Sequence, residues 1–241
     1  MLKQADSLGV SKLVATPHIN EQTSPDKIER IRKNFEELDS SVQKLGMNID
    51  VSLAAEVNFD SKVIDWIDHP WILIGKNIKY MLIELPLFGL PVNILDIIFN
   101  IQLKNIIPIL AHPERNIRIQ ENPNMVIDWI KKGCIIQMDA GSIMGQFGIQ
   151  CKTISERLLK SSNIHLIGSD SHDLNSRNYE VFYKSYQYVK TKIDTKYAEI
   201  LFYNNPQRIL NGESIINQYS EGKINSKNIL KKILKKMNFI L

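Results

Sequence analysis

One segment organises the chain: Ile106-Ile107-Pro108-Ile109-Leu110-Ala111-His112-Pro113-Glu114-Arg115-Asn116. Its apolar run, bounded by proline and polar residues, is typical of a strand buried on both faces of a sheet or barrel. The polar end would then lie at one rim, where His112 offers a metal ligand and Arg115 a fixed positive charge. Taken alone, the segment is more typical of an ordinary strand end with a solvated Glu–Arg pair than of a functional site.

Composition sets the size of the core and excludes some partners. The 241 residues are 44% hydrophobic and 23% charged, which is enough to bury the core of one globular domain. The net charge is +4, and much of the excess lies in a run of lysines near the end of the chain, Lys223, Lys227, Lys231, Lys232, Lys235 and Lys236. Such a run is more often a solvated surface, so we expect no nucleic-acid partner.

The cysteines and the hydropathy indicate where the protein works. Cys134 and Cys151 form neither a disulfide framework nor a Cys-x-x-Cys metal motif; we expect reduced thiols, with a single disulfide left open. The sequence has no apolar run of about eighteen residues and no basic-then-apolar signal region at its start. We therefore expect a soluble, cytoplasmic protein.

Apolar runs with strand character alternate with amphipathic helical segments along most of the chain. The predicted strands end in residues that can bind a metal, namely His18, Glu56, Glu84, His112, Asp170 and His172. In parallel α/β barrels the carboxyl ends of the strands form the functional face. The sequence therefore predicts an α/β barrel with six ligand-type side chains at one rim.

Each of these signals is weak by itself. His18 alone is more typical of a loop or core histidine, and an Asp-x-His turn is common on protein surfaces. On an extended strand end, however, Asp170 and His172 would point to the same side. Three histidines and three carboxylates together suit two or more divalent ions such as Mn²⁺, Zn²⁺ or Fe²⁺. Arg115 and Arg177 would add donors matched to phosphate oxygens, and hydrolysis of a phosphate ester uses all of these parts.

Several motifs together closely resemble the bacterial manganese-dependent tyrosine-protein phosphatases of the polymerase-and-histidinol-phosphatase (PHP) superfamily, which belong to capsular and exopolysaccharide operons. The motifs are Ala15-Thr16-Pro17-His18, Ala54-Ala55-Glu56, Glu84-Leu85-Pro86, Ala111-His112-Pro113-Glu114-Arg115, Asp139-Ala140-Gly141-Ser142 and Gly168-Ser169-Asp170-Ser171-His172. They occur in order between about Leu2 and Leu210.

The resemblance implies a fold, a site and a substrate. The fold would be a distorted (β/α)7 barrel of PHP type that holds two or three Mn²⁺ ions, with Zn²⁺ or Fe²⁺ as alternatives. The substrate would be the phosphotyrosine tail of a bacterial tyrosine kinase that controls polysaccharide synthesis. The metal ligands would be His18, Glu56, Glu84, His112, Asp170 and His172, while Arg115 and Arg177 would bind the phosphoryl group.

The chain departs from this family pattern in two places. Family members open with a strand that bears Asp-x-His-x-His, whereas this chain begins with the end of a helix near Leu2. We therefore expect the barrel to lack its first strand and two histidine ligands, which would expose two sheet edges and impair activity. The second departure is Asp139, where the pattern leads us to expect Asn.

The predicted organisation is a barrel over residues 1–215 and a basic amphipathic tail over residues 216–241. A homo-oligomer is one option for its assembly. Two other functions stay open at this point: a small-molecule phosphatase similar to histidinol phosphatase, and a non-catalytic module that holds a phosphotyrosine tail through Arg115 and Arg177.

Overall fold

A computed structural model of the chain describes residues 1–60 and 62–217. The strands are β1 (Lys12–Ala15), β2 (His18–Ile19), β3 (Asp50–Leu53), β4 (Glu56–Asn58), β5 (Lys79–Glu84), β6 (Ile106–Ala111), β7 (Ile135–Asp139) and β8 (Leu166–Gly168). The helices are α1 (Leu2–Ser7), α2 (Pro25–Lys44), α3 (Ile94–Leu103), α4 (Ile117–Glu121), α5 (Asn124–Lys131), α6 (Ala140–Met144), α7 (Ile149–Lys160), α8 (Tyr179–Lys192), α9 (Thr195–Glu199) and α10 (Asn205–Asn211). The predicted basic tail lies outside the described residues except for its first two, Ile216 and Asn217.

The strands form parallel sheets. One sheet has the order β2-β4-β5-β6-β7-β8, and β1 pairs with β3 in a second, two-stranded sheet. Neighbours in the larger sheet follow chain order because each crossover carries the chain back to the start of the next parallel strand. The predicted α/β class with parallel strands is confirmed.

Two of the predicted strands are interrupted where the candidate ligands begin. The path of β1 continues into β2 after Thr16 and Pro17, and β3 continues into β4 after a two-alanine break. Proline lacks an N–H and restricts the residue before it, so the ladder stops there and resumes at the pair His18–Glu56. These two residues were expected to end strands; instead each begins a short second strand.

The segment Ile106–Ala111 forms the central strand β6 as predicted. Ile109, Leu110 and Ala111 are each at most 1% exposed, since β6 is covered on both faces. Pro108 is tolerated because it pairs with Met81 of β5 but lies one residue before pairing with β7 begins. This strand delivers His112 to the rim.

Among the described residues, β2 and β8 are the edge strands of the larger sheet, and β1 pairs only with β3 in the two-stranded sheet. A cavity of about 810 Å³ is lined by residues of β8 and β1 and by apolar side chains such as Phe182 and Ile209. His18, Glu56, His112, Asp170 and His172 line the same cavity.

Small residues directly after a strand, such as Ala140-Gly141-Ser142 after β7, are typical of a flexible turn, and this interpretation is wrong here. The segment starts the short helix α6, whose first turn is capped by the Asp139 carboxylate accepting the Gly141 N–H at 2.7 Å. None of the helices within residues 1–60 and 62–217 is both long and apolar enough to span a bilayer.

Candidate metal centre and anion site

Four of the six proposed ligands come together at the carboxyl end of the larger sheet. The ladder places His18 of β2 beside Glu56 of β4, and Glu84 is the last residue of β5. His112 follows β6 directly and has the left-handed backbone angle φ = 31°. A non-glycine residue in this region is uncommon and is found more often at functional sites.

The distances within this group are short. His112 Nε2 lies 2.9 Å from Glu56 Oε1 and 3.6 Å from Glu84 Oε1, and His18 Nδ1 lies 3.3 Å from Glu84 Oε2. One ligand atom from each of His18, Glu56 and Glu84 lies within 4.8 Å of the others. Imidazole nitrogens and carboxylate oxygens are ligands for ions such as Zn²⁺ and Fe²⁺, and carboxylates also suit Mn²⁺, so the donor chemistry fits a divalent metal.

The protonation of these side chains follows from their proximity. The hydrogen bond with Glu84 raises the pKa of His18. Burial lowers the pKa of His112, but the hydrogen bond with Glu56 and the negative charges of Glu56 and Glu114 together outweigh burial, so the net shift is upward. Burial raises the pKa of Glu84, but the two histidines and Arg115 together offset burial and bring the pKa below its ordinary value. The neighbouring carboxylates therefore favour the protonated form of both histidines.

Asp170 and His172 lie beside this cluster in the loop after β8. The backbone is not extended as expected: β8 ends at Gly168, and Asp170 has φ = 45°. His172 Nδ1 lies 2.8 Å from the carbonyl oxygen of Asp170, and its ring centroid is 6.5 Å from that of His18. A turn, rather than strand alternation, thus brings the two residues to the rim.

The two predicted arginines meet at the Asp170 carboxylate. Arg115 Nη1 donates to Asp170 Oδ2 at 3.0 Å, and Arg177 Nη2 donates to the same oxygen. Among the described residues, Arg177 Nε is buried and has no hydrogen-bond partner. Burial and the charge of Arg115 lower the pKa of Arg177. Two adjacent guanidinium groups with an unsatisfied donor form a site suited to an anion with several oxygens.

Two buried carboxyl groups beneath Arg115 were not assigned a role from the sequence. Glu114 is 0% exposed, so the expectation of a solvated Glu–Arg pair is wrong; its Oε1 accepts the Asp139 N–H at 3.0 Å. Asp139 Oδ2 lies 3.7 Å from Arg115 Nη1. Burial raises the pKa of Glu114, and burial with the charge of Glu114 raises the pKa of Asp139 to about 6. Asp139 before a small-residue helix start is an N-cap signal that could have placed this residue.

Comparison with known proteins identifies the class of protein. Residues 1–211 match the family described as capsular polysaccharide synthesis, CpsB/CapC, and the chain belongs to this family. The family resemblance found from the motifs is confirmed.

Particular relatives are enzymes by name. The chain is 29% identical over 218 residues to tyrosine-protein phosphatase YwqE of Bacillus subtilis, covering 90% of this chain and 85% of the relative. It is 25% identical over 215 residues to tyrosine-protein phosphatase CpsB of Streptococcus pneumoniae, covering 87% and 88%. A crystal structure from work on these two proteins, described as metal-dependent tyrosine phosphatases, matches with a TM-score of 0.81 at 28% identity, over 90% of this chain and 87% of that chain.

Proposed function

We propose that this chain is a metal-dependent protein-tyrosine phosphatase of capsular polysaccharide synthesis. The relatives named above carry this activity in their names, and the family is one of capsule synthesis. The observation that carries the proposal is the location of the His18–Glu56–Glu84 cluster next to two arginines that converge on Asp170. Metal ligands and anion donors at one rim suit the hydrolysis of a phosphate ester.

The site residues have distinct proposed roles. The metal ligands are His18, Glu56, Glu84, His112, Asp170 and His172, and we propose two or three Mn²⁺ ions, with Zn²⁺ or Fe²⁺ as alternatives. When bound, a divalent ion supplies Lewis acidity toward a phosphoryl oxygen and toward water. Arg115 and Arg177 bind and orient the phosphoryl group, and the partnerless Nε of Arg177 supports this role.

The proposed substrate is the phosphotyrosine tail of a bacterial tyrosine kinase that regulates capsular or exopolysaccharide synthesis. The names of the relatives support a phosphotyrosine protein as substrate. We propose a cytoplasmic location, because tyrosine phosphorylation depends on cytoplasmic ATP. Assembly as a homo-oligomer stays a prediction.

The proposed architecture is a distorted barrel of PHP type over residues 1–215. The parallel order β2-β4-β5-β6-β7-β8 supports it, as does the cavity lined by residues of β8 and β1, which lies where a seventh strand would close the barrel. Residues 216–241 are proposed as a basic appendage.

The test is release of phosphate from a phosphotyrosine peptide by chelator-treated protein, with and without added Mn²⁺. We expect Mn²⁺-dependent release that is lost in Arg115→Ala and in His112→Asn, since Asn tolerates the left-handed backbone at position 112. His69→Ala, outside the site, is the matched control and should behave as the wild type.

Two results would replace the proposal. Release of phosphate from histidinol phosphate but not from the peptide would favour a small-molecule phosphatase. Tight binding of the phosphopeptide without turnover in saturating Mn²⁺ would favour a non-catalytic binding module.

A further inference from the structure

The loop between α6 and α7 presents one aromatic side chain to the anion site. This loop, Gly145-Gln146-Phe147-Gly148, is bounded by glycines with φ = 86° and φ = 93°. Both values lie in the left-handed region that glycine adopts without a steric penalty, so the chain can turn sharply on either side of Phe147. Phe147 is thereby directed back toward the rim instead of continuing either helix.

Phe147 contacts both arginines. The Cζ atom of Arg115 lies 4.4 Å from the centroid of the Phe147 ring, and that of Arg177 lies 5.8 Å from it. Both distances fall within the range in which an aromatic ring attracts a cation. The two guanidinium groups repel each other, and a ring that attracts both holds them in the same place without itself carrying a charge.

The loop is fixed from two directions. Gln146 Nε2 donates to the carbonyl oxygen of Ser176 at 2.5 Å, which ties the loop to the residue before Arg177. On the other side, Gly141 of α6 leaves room for the loop, because a Cβ at that position would clash with Gln146 Oε1 and would lie 3.0 Å from Phe147 Cε2. The position of Phe147 is therefore set by the surrounding chain and does not depend on the arginines.

The polar contacts of the two arginines would be weakened by a bound metal ion, whereas their contact with the Phe147 ring would not. Arg115 and Arg177 share a single oxygen of Asp170, and Asp139 Oδ2 is a further 3.7 Å contact for Arg115. Asp170 is also a proposed metal ligand. A carboxylate oxygen that binds an ion is a weaker partner for two guanidinium groups, whereas the face of Phe147 stays available.

We propose that Phe147 is a positioning residue. It holds Arg115 and Arg177 at the spacing needed to bind a phosphoryl group when Asp170 coordinates a metal ion. This inference rests on the proposed function, since it assigns the arginines to the phosphoryl group. Phe147 lies outside the motifs that carry the family resemblance.

The experiment compares Phe147→Leu, which removes the aromatic face but keeps an apolar side chain, with Phe147→Tyr, which keeps the face. The probe is phenylphosphonate, an aryl phosphate analogue that cannot be hydrolysed, titrated into the full chain with Mn²⁺ and again in chelator. We expect Phe147→Leu to weaken phenylphosphonate binding about three- to tenfold with Mn²⁺ present and less in chelator. Phe147→Tyr should restore near wild-type affinity, and Mn²⁺ affinity should not change in either variant.

Arg115→Ala separates the failure of this inference from the failure of the proposed function. If Arg115→Ala weakens binding of phenylphosphonate and Phe147→Leu does not, the role of Phe147 is overturned and the proposed function stands. If Arg115→Ala has no effect either, the proposed role of the arginines fails first. An equal loss in Phe147→Leu and Phe147→Tyr would also overturn the inference, because it would indicate packing alone.

A second variant decides the matter if Phe147→Leu does not fold. Gly141→Ala keeps the ring but places a methyl group against Gln146 and Phe147, which displaces the loop that carries the ring, so we expect weaker phenylphosphonate binding with unchanged Mn²⁺ affinity. Wild-type affinity for phenylphosphonate in Gly141→Ala, with the protein folded, would then overturn the proposed role of Phe147.

Discussion

Arg115 and Asp170 form a partly buried ion pair in which Arg115 Nη1 lies 3.0 Å from Asp170 Oδ2, with side chains 15% and 10% exposed. The same oxygen accepts from Arg177. Asp170 therefore offsets part of the positive charge of the two groups proposed to bind phosphate. The proposed roles would couple metal binding and phosphate binding through this one carboxylate.

Replacement of Asp170 by Asn tests this coupling. In chelator, Asp170→Asn should bind phenylphosphonate about three- to tenfold more tightly than the wild type, because both arginines lose their anionic partner. Its affinity for Mn²⁺ should fall at the same time. Calorimetric titrations of each ligand measure both effects, with the exposed Asp128→Asn as control. Unchanged phenylphosphonate affinity would show that Asp170 does not compete for the arginines.

His112→Asn tests the metal cluster directly. His112 is buried against Glu56, and removal of its imidazole takes away the nitrogen partner of Glu56, while Glu84 keeps its contact with His18. We expect Mn²⁺ affinity to drop by one to two orders of magnitude. Calorimetry or a metal-sensitive dye gives the dissociation constant, and His69→Ala provides the comparison. A wild-type constant for His112→Asn would remove His112 from the ligand set.

Metal affinity should depend on pH with a definite sign. The pKa values of His18 and His112 are both raised, chiefly by Glu84 and Glu56, and a histidine binds metal only in its neutral form. Protons therefore compete as the pH falls through these raised values, and Mn²⁺ affinity should rise between about pH 6 and pH 8. Titration in buffers of different ionisation enthalpy counts the protons released. His112→Asn should release fewer protons, and an equal count would contradict this assignment.

Asp139→Asn should change stability in a pH-dependent way. The pKa of Asp139 is about 6 in the folded protein against 3.8 for a free side chain, so its protonated form favours folding. This contribution is complete below about pH 4 and is lost as the pH rises through 6. At pH 8 we expect Asp139→Asn to be more stable than the wild type by about 1–3 kcal/mol, because the amide oxygen can still accept the Gly141 N–H.

Urea unfolding in chelator at pH 4 and at pH 8 measures this difference. The gain from Asp139→Asn should be small at pH 4 and large at pH 8. An equal gain at both values would mean that the charge on Asp139 is not what destabilises the folded state.

The fold was largely predictable from local patterns. The apolar run of β6 and the capped helix α2 follow from periodicity and from local start and stop signals. The interruptions between β1 and β2 and between β3 and β4 were not predicted, because a break in a ladder depends on which strand lies alongside. The helix α6 was missed because small residues after a strand also suit a turn.

The sequence was sufficient to predict which residues reach the rim. His112 and Glu84 could be placed there because the direction of parallel strands determines where their carboxyl ends lie. The contacts between side chains could not be predicted from the sequence. Glu114 has the sequence context of a surface residue, and its buried position depends on a hydrogen bond from Asp139 of the next strand. Phe147 contacts arginines 32 and 30 residues away in the chain, and no local pattern records such a pairing.

Because β8 is an edge strand, the two parts of the rim should differ in how fast their backbone amides exchange with solvent. In the part of the chain that the structure describes, β6 has a neighbouring strand on each side, whereas β8 has one on a single side. Amides of Leu166–Gly168 should therefore exchange faster than those of Ile109–Ala111. Glu84 and His112 thus stand on slowly opening strands, while Asp170 and His172 follow a strand that opens readily. An ion shared by the two groups would tie the strands together, and added Mn²⁺ should slow exchange in β8 more than in β6.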